Sequence, residues 1–192
     1  MEKIATATDI ERIVMQTFRQ EKRCCPIAPN LVLPHNWEAD VAAITKTGFC
    51  HELEIKTSRS DFKADFNKRE YHQNHGSKHE RMAARKFEKG LWIPNYFWFC
   101  TPIGLLSLDD IPEYAGLIEV YWIKQSETYQ RLSYKETKNA PRLHKNRVDS
   151  DWLKTEFLKR LTNVVAFGRG GNWDAVPKIA TTKIRIPQLE LF

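Results

Sequence analysis

The sequence predicts an α/β protein in which a mixed β-sheet is flanked by helices. Two observations carry that expectation. Residues 38–57 read as two strands of period-two alternation joined at Lys46-Thr-Gly48, and strand-like aromatic and β-branched runs at 95–101 and 116–123 are interleaved with segments of helical spacing. The 192 residues are 42% hydrophobic and include 10 Phe, 6 Tyr and 6 Trp, enough for one packed core, so disorder throughout is excluded.

Thr8-Asp-Ile-Glu11 has the form of a capping box, and Ile10, Ile13, Val14, Thr17 and Phe18 follow at helical spacing, predicting a first helix over 9–20. Pro26 and Pro29 predict an irregular crossing, and Leu31-Val-Leu33 a short extended piece stopped by Pro34. The hairpin follows, as strands 38–45 and 49–57. Ser58 or Ser60 can cap a helix that carries Phe62 and Phe66 on one face and reaches about Asn74. A shorter helix is expected from His79 to Lys89, then the aromatic strand at 95–101, a brief element at 107–111 and a strand at 116–123. Residues 126–147 are polar and basic with a loop signal at Asn139-Ala-Pro141. Asp151 to Val165 reads as an amphipathic helix, and the last twenty residues look extended.

Apolar runs fall short of the roughly 20 residues a bilayer span needs, because Pro94, Asn95 and Pro102 break the longest. The first nine residues lack the apolar stretch of a secretory signal. With no C-x-x-C pair among Cys24, Cys25, Cys50 and Cys100, reduced thiols and a cytoplasmic protein, in a bacterium or a phage-infected cell, are expected.

The net charge of +6 is unevenly spread. Residues 1–55 carry 6 basic and 8 acidic side chains, 56–89 carry 10 and 5, 90–123 none and 4, and 124–160 again 10 and 5. Two basic blocks around an acidic, aromatic stretch fit either solvated helical faces or a nucleic-acid footprint.

The strongest chemical signal lies in Cys50-His-Glu-Leu-Glu-Ile-Lys56, where alternation sets Glu52, Glu54 and Lys56 on one face. On the partner strand Glu38 and Asp40 share a face, and the run Val41-Ala-Ala-Ile44 is apolar on both, as in a central strand. Asp40 is therefore expected near the core. Carboxylates buried beside a lysine are costly unless paired or metal-bound. Mg²⁺ accepts one or two carboxylates, a carbonyl and several waters, and leaves room for phosphate oxygens. Asp40 and Glu54 could supply the carboxylates, and Lys56 could orient a water or stabilise developing charge.

Asp40, the hairpin, Glu54-x-Lys56 and then Ser58-x-x-Asp61-Phe62-x-x-Asp65 together resemble the PD-(D/E)XK, restriction-endonuclease-like nuclease superfamily. Within it the chain is most similar to the MmcB-like DNA repair proteins and related phage nucleases. The later phrases Tyr96-Phe-Trp-Phe-Cys-Thr-Pro-x-Gly-Leu105 and Ile111-Pro-Glu-Tyr-Ala-Gly-Leu-Ile118 extend the likeness, which covers residues 8–123. The resemblance implies a restriction-endonuclease-like core of αβββαβ type over 1–125, a basic C-terminal extension over 126–187 packed on it, and Mg²⁺-dependent cleavage of DNA, with Mn²⁺ able to substitute. It assigns Asp40 and Glu54 as metal ligands, Ile55 as a ligand through its carbonyl, and Lys56 as the catalytic lysine. Ala39 stands where the family has proline. A first-helix glutamate joins the metal site in many members, which makes Glu11 a candidate that its capping role explains equally well.

Glu52 and Glu38 could bind a second metal or sit at a solvated strand end. His72, His75 and His79 suggest zinc, but Gly76 interrupts them and no cysteine has suitable spacing. Lys63, Lys68, Arg69, Lys78, His79, Arg81, Arg85 and Lys86 are expected to form a phosphate-facing surface that holds DNA. The terminal Gln188-Leu-Glu-Leu-Phe192 resembles the pentapeptide that docks bacterial repair proteins on the sliding clamp. Gln188, Leu189, Leu191 and Phe192 are thus candidate partner contacts, with a last core strand as the alternative. Beside the nuclease expectation stands a non-catalytic DNA-binding accessory protein, and beside both a structural ion cluster.

Overall fold

A computed structural model describes residues 3–34, 37–67, 77–85, 87, 92–126 and 128–167. In chain order the elements are α1 (Ala7–Gln20), β1 (Ile27–Val32), β2 (Glu38–Ile44), β3 (Cys50–Ile55), α2 (Arg59–Asp65), α3 (Lys78–Ala83), β4 (Tyr96–Pro102), β5 (Ala115–Lys124), β6 (Gln130–Lys138) and α4 (Ser150–Phe167). The six strands form one mixed sheet in chain order. β1, β2 and β3 make an antiparallel meander, β4 and β5 run parallel to β3, and β6 returns antiparallel to β5. The α/β expectation holds at this level.

α1 starts earlier than the sequence reading placed it. Its cap is Thr6, whose hydroxyl accepts from the Asp9 amide while the Asp9 carboxylate takes the Thr6 amide, so the box is Thr6 with Asp9 and not Thr8 with Glu11. Aspartate serves at the third helical position as glutamate does, and it releases Glu11 from capping. Of the two prolines expected to make an irregular crossing, Pro26 lies in irregular chain before β1, but Pro29 lies inside β1, which tolerates it as an edge strand with one side free of ladder bonds. Lys46-Thr-Gly48 forms the turn, with Gly48 at φ +83°, where a side chain would be strained. Residues 126–147 conceal an edge strand, β6, whose alternation the basic side chains obscure, so the stretch after residue 125 belongs to the sheet.

The sheet is covered on both faces. On one, Ile10, Val14 and Phe18 of α1 pack on Val41, Ala43, Leu53, Trp98, Cys100, Ile118 and Val120. On the other, Phe62 of α2 and Met82 of α3 pack on Phe97, Phe99 and Leu117. Trp152, Leu153 and Phe157 of α4 cover Leu31, Ala42 and Cys50 beside them. Among the described residues no helix is long and apolar enough to cross a membrane, and all four cysteines are free.

One close approach makes a direct test of this packing. A Cβ on Gly116 would lie 2.5 Å from the Trp98 ring and 2.6 Å from the backbone nitrogen of Ala140. Neither can yield freely, since Trp98 is buried in the core and Ala140 belongs to the chain leaving β6. Gly116→Ala is expected to cost about 2–3 kcal/mol, read as a fall in thermal midpoint of roughly 5–10 °C.

Candidate active site

The side-chain alternation of β3 sends His51, Leu53 and Ile55 toward α1 and Glu52, Glu54 and Lys56 toward α2 and α3. The parallel register pairs Glu52 with Phe97 and Glu54 with Phe99, so these charges stand in an otherwise aromatic layer. All are buried: Glu52 is 0% exposed, Glu54 4%, Lys56 2% and Lys78 8%.

Glu54 is shared by two ammonium groups. Lys56 Nζ lies 3.0 Å from Oε1, and Lys78 Nζ lies 3.2 Å from Oε2. Lys78 also reaches Glu52 Oε1 at 2.8 Å, and Lys56 reaches Asp65 Oδ1 at 3.1 Å and Asp61 Oδ1 at 3.9 Å. Two local designs bring these groups in. Ser58 caps α2, and the four-residue spacing of Asp61 and Asp65 turns both toward Lys56. Ser77 and Glu80 form a reciprocal capping box on α3, which fixes Lys78 at its first helical position. Asp65 also meets His79 Nε2 at 2.9 Å, while His79 Nδ1 lies 2.7 Å from the Tyr114 hydroxyl. Nε2–H donating to Asp65 and Nδ1 accepting from the Tyr114 hydroxyl satisfies both contacts.

Asp40 completes the group from β2. The β2–β3 ladder ends at Val41 with Leu53, and beyond it the Asp40 carboxylate accepts the Ile55 amide at 2.7 Å in place of a backbone partner. Continuing that register sets Asp40 opposite Glu54. Burial, and then the Glu54 charge, push the Asp40 carboxyl up to about 6 despite the Ile55 amide and both lysines. Burial draws the Lys56 and Lys78 ammoniums down, but their carboxylates outweigh it and hold both above the ordinary lysine value. Cys100 is raised by burial and further by Asp40 and Glu54.

Asp40, Glu52, Glu54 and Asp65 thus gather around Lys56 and Lys78, and the Asp40 carboxyl is the one pushed up by burial and by its neighbour Glu54. Among the described residues no three His, Cys, Asp or Glu side chains form a ready metal cage. Two carboxylates and a backbone carbonyl are the sparser set that hydrated Mg²⁺ accepts. By donor type, Asp40, Glu54 and the Ile55 carbonyl fit such an ion.

Several expectations are revised by position. Lys78, His79 and Arg81 do not form an open basic surface: the first two are buried in this network, and Arg81 is buried with its guanidinium 4.4 Å from the centre of the Trp37 ring. Lys63 and Arg85 are exposed as expected. Lys68, Arg69 and Lys86, His72 and His75, and the tail Gln188, Leu189, Leu191 and Phe192 lie outside the described residues. Glu11 has a buried Oε1 on α1, across the sheet from the Glu54 face, so any share it takes in the site is around the sheet's end. Glu38 is exposed, whereas Glu52 is sealed beneath Lys78. Sequence reasoning gave no role to Asp65 and Tyr114, although both stood in quoted motifs; the spacing of Asp65 after Ser58 was the available signal.

No family model matches the chain, and no curated protein matches it. Among solved structures it is similar to the SPO1766 protein of unknown function from Silicibacter pomeroyi, with 14% identity and a TM-score of 0.52, covering 87% of this chain and 95% of that one. At that identity the likeness concerns the fold.

Proposed function

We propose that the protein is a metal-dependent phosphodiesterase acting on DNA, built on a restriction-endonuclease-like core. The observation that carries this reading is the pairing of Asp40 and Glu54 beside Lys56 at one end of the sheet, where Asp40 accepts the Ile55 amide and Glu54 meets the Lys56 ammonium. The order α1, β1 to β3, helices and then a parallel β4 agrees with the αβββαβ arrangement expected of such nucleases.

In this reading Asp40, Glu54 and the Ile55 carbonyl hold Mg²⁺. The ion, when bound, supplies charge for the scissile phosphate and acidifies a water. Lys56 is held between Glu54 and Asp65, so its ammonium is aimed without freedom to wander, and it stabilises charge developing near Glu54. Asp65 is itself fixed by His79, and His79 by Tyr114. Exposed Lys63 on α2 and Arg85 in the turn after α3 contribute phosphate contacts.

Asp40→Asn tests the reading against a purely structural ion cluster. An acid raised to about 6 when folded binds a proton more tightly than in the unfolded chain. Its ionisation therefore removes stability as pH rises from about 4 to about 6 and leaves a deficit at pH 7. The amide can still accept from Ile55, so Asp40→Asn is expected to gain about 1–2 kcal/mol at pH 7, a rise in thermal midpoint of roughly 3–6 °C. The same variant should lose DNA cleavage in Mg²⁺ or Mn²⁺, and Mg²⁺ should raise the midpoint of the wild type only. A variant that is destabilised, still cleaves DNA and still responds to Mg²⁺ would falsify the proposal.

A further inference from the structure

We infer that Lys78 is a built-in cation occupying the position a second metal would take, and that the site therefore holds one divalent ion. The inference rests on the metal reading of Asp40 and Glu54. Its own support is geometric. Glu52 and Glu54 stand two residues apart on one face of β3, the arrangement from which a second ion would be bound. Between them lies the Lys78 ammonium, 2.8 Å from Glu52 Oε1 and 3.2 Å from Glu54 Oε2.

Three features hold it there. The capped start of α3 fixes its backbone, with Ser77 and Glu80 each satisfying the other's amide. The ammonium also stands 4.9 Å from the centre of the Phe97 ring, whose face favours a cation. Glu52 is 0% exposed, so a hydrated ion, which gives up its waters reluctantly, has no open approach to it. The other side of Glu54 differs. Asp40 is only half-buried, which leaves that side open to an exchangeable ion.

Lys78 is thus a positioning residue. It orients Glu54 through Oε2, leaves lone pairs on Oε1 for the metal and Lys56, and neutralises Glu52 without an ion from solution. The residue next along the helix, His79, holds Asp65, and Asp65 holds Lys56, so one turn of α3 sets both lysines.

The test is the number of Mn²⁺ ions bound per chain, counted by calorimetric titration and by electron paramagnetic resonance of the bound ion. The wild type should bind one. Lys78→Met, which uncovers Glu52 and Glu54, should bind two, the second weakly. Glu52→Gln/Lys78→Met, lacking both the cation and the extra carboxylate, should return to one. Should Lys78→Met fail to fold, Lys78→Gln retains a hydrogen bond to Glu52 without the charge and should also bind two. Two ions on the wild type, or one on a folded Lys78→Met or Lys78→Gln, overturns this inference alone. No Mn²⁺ bound by the wild type overturns the nuclease reading as well.

Discussion

Glu54→Ala is expected to lower the rate of the proposed metal-dependent DNA cleavage by about a thousandfold or more, because in that proposal Glu54 is both a metal ligand and the group that aims Lys56. It is also expected to cost about 3–5 kcal/mol of stability, since Lys56 and Lys78 would each keep a buried charge with one carboxylate fewer. Thermal unfolding should show a midpoint lower by roughly 10 °C. The two losses are separable. Glu54→Gln fills the same volume, and its single amide oxygen can accept from one ammonium while its NH₂ faces the other, so it should recover part of the stability and none of the cleavage. Lys56→Ala should do something different again under the same proposal: lower the turnover by about a hundredfold or more with Mn²⁺ still bound, because the lysine would act beside the ligands and not as one. Single-stranded, duplex, flapped and branched DNA should all be offered. Wild-type activity equal to that of all three variants on every substrate defeats the hydrolase proposal, and salt-sensitive binding without cleavage favours a DNA-binding accessory protein.

What was legible in the sequence follows the range of the interactions concerned. The hairpin could be read because alternation is local, and the facing of Glu54 and Asp40 follows from it: a turn at Gly48 fixes the register of β2 on β3. The role of Lys78 could not. It lies 24 residues from Glu54 and 26 from Glu52, and sequence assigns a lysine between Ser77 and His79 to solvent by default. The same is true of His79, whose partners are Asp65 and Tyr114. The basic block after the motif is therefore two populations. Lys56, Lys78 and His79 turn inward to organise carboxylates, and Lys63 and Arg85 face outward. β6 was hidden for another reason. Lys138 donates to the carbonyls of Ile111 and Pro112, and Lys22 pairs with Glu136, so polar side chains at this sheet edge are used in place of the apolar alternation that marks a strand.

Asn95→Ala should produce the second large effect, on stability with little on chemistry. Asn95 is fully buried at the start of β4, where Oδ1 accepts the Cys50 amide at 2.8 Å and Nδ2 donates to the carbonyls of His144 at 3.1 Å and Asn146 at 2.8 Å. Its backbone adds two bonds, to the Cys50 carbonyl and from the Leu143 amide. One side chain thereby ties the first residue of β3 to the segment that leads from β6 to α4, whose Leu143 and Val148 enter the core on either side. Alanine strands a buried N–H and frees two carbonyls, for an expected loss of about 3–5 kcal/mol and a midpoint lower by roughly 10 °C. Asn95→Asp keeps the acceptor but presents a second acceptor to two carbonyls. It should be at least as unstable as Asn95→Ala at pH 7 and should recover as pH falls, when a protonated carboxyl can donate to one of them. Cys50 is four residues from Glu54, roughly 13 Å along an extended strand, which separates this junction from the lysines. Below its melting range, Asn95→Ala should therefore match the wild type in the proposed DNA cleavage and Mn²⁺ binding. A cleavage rate that falls as far as that of Glu54→Ala in fully folded protein would show that the α4 side of the sheet shapes the site directly.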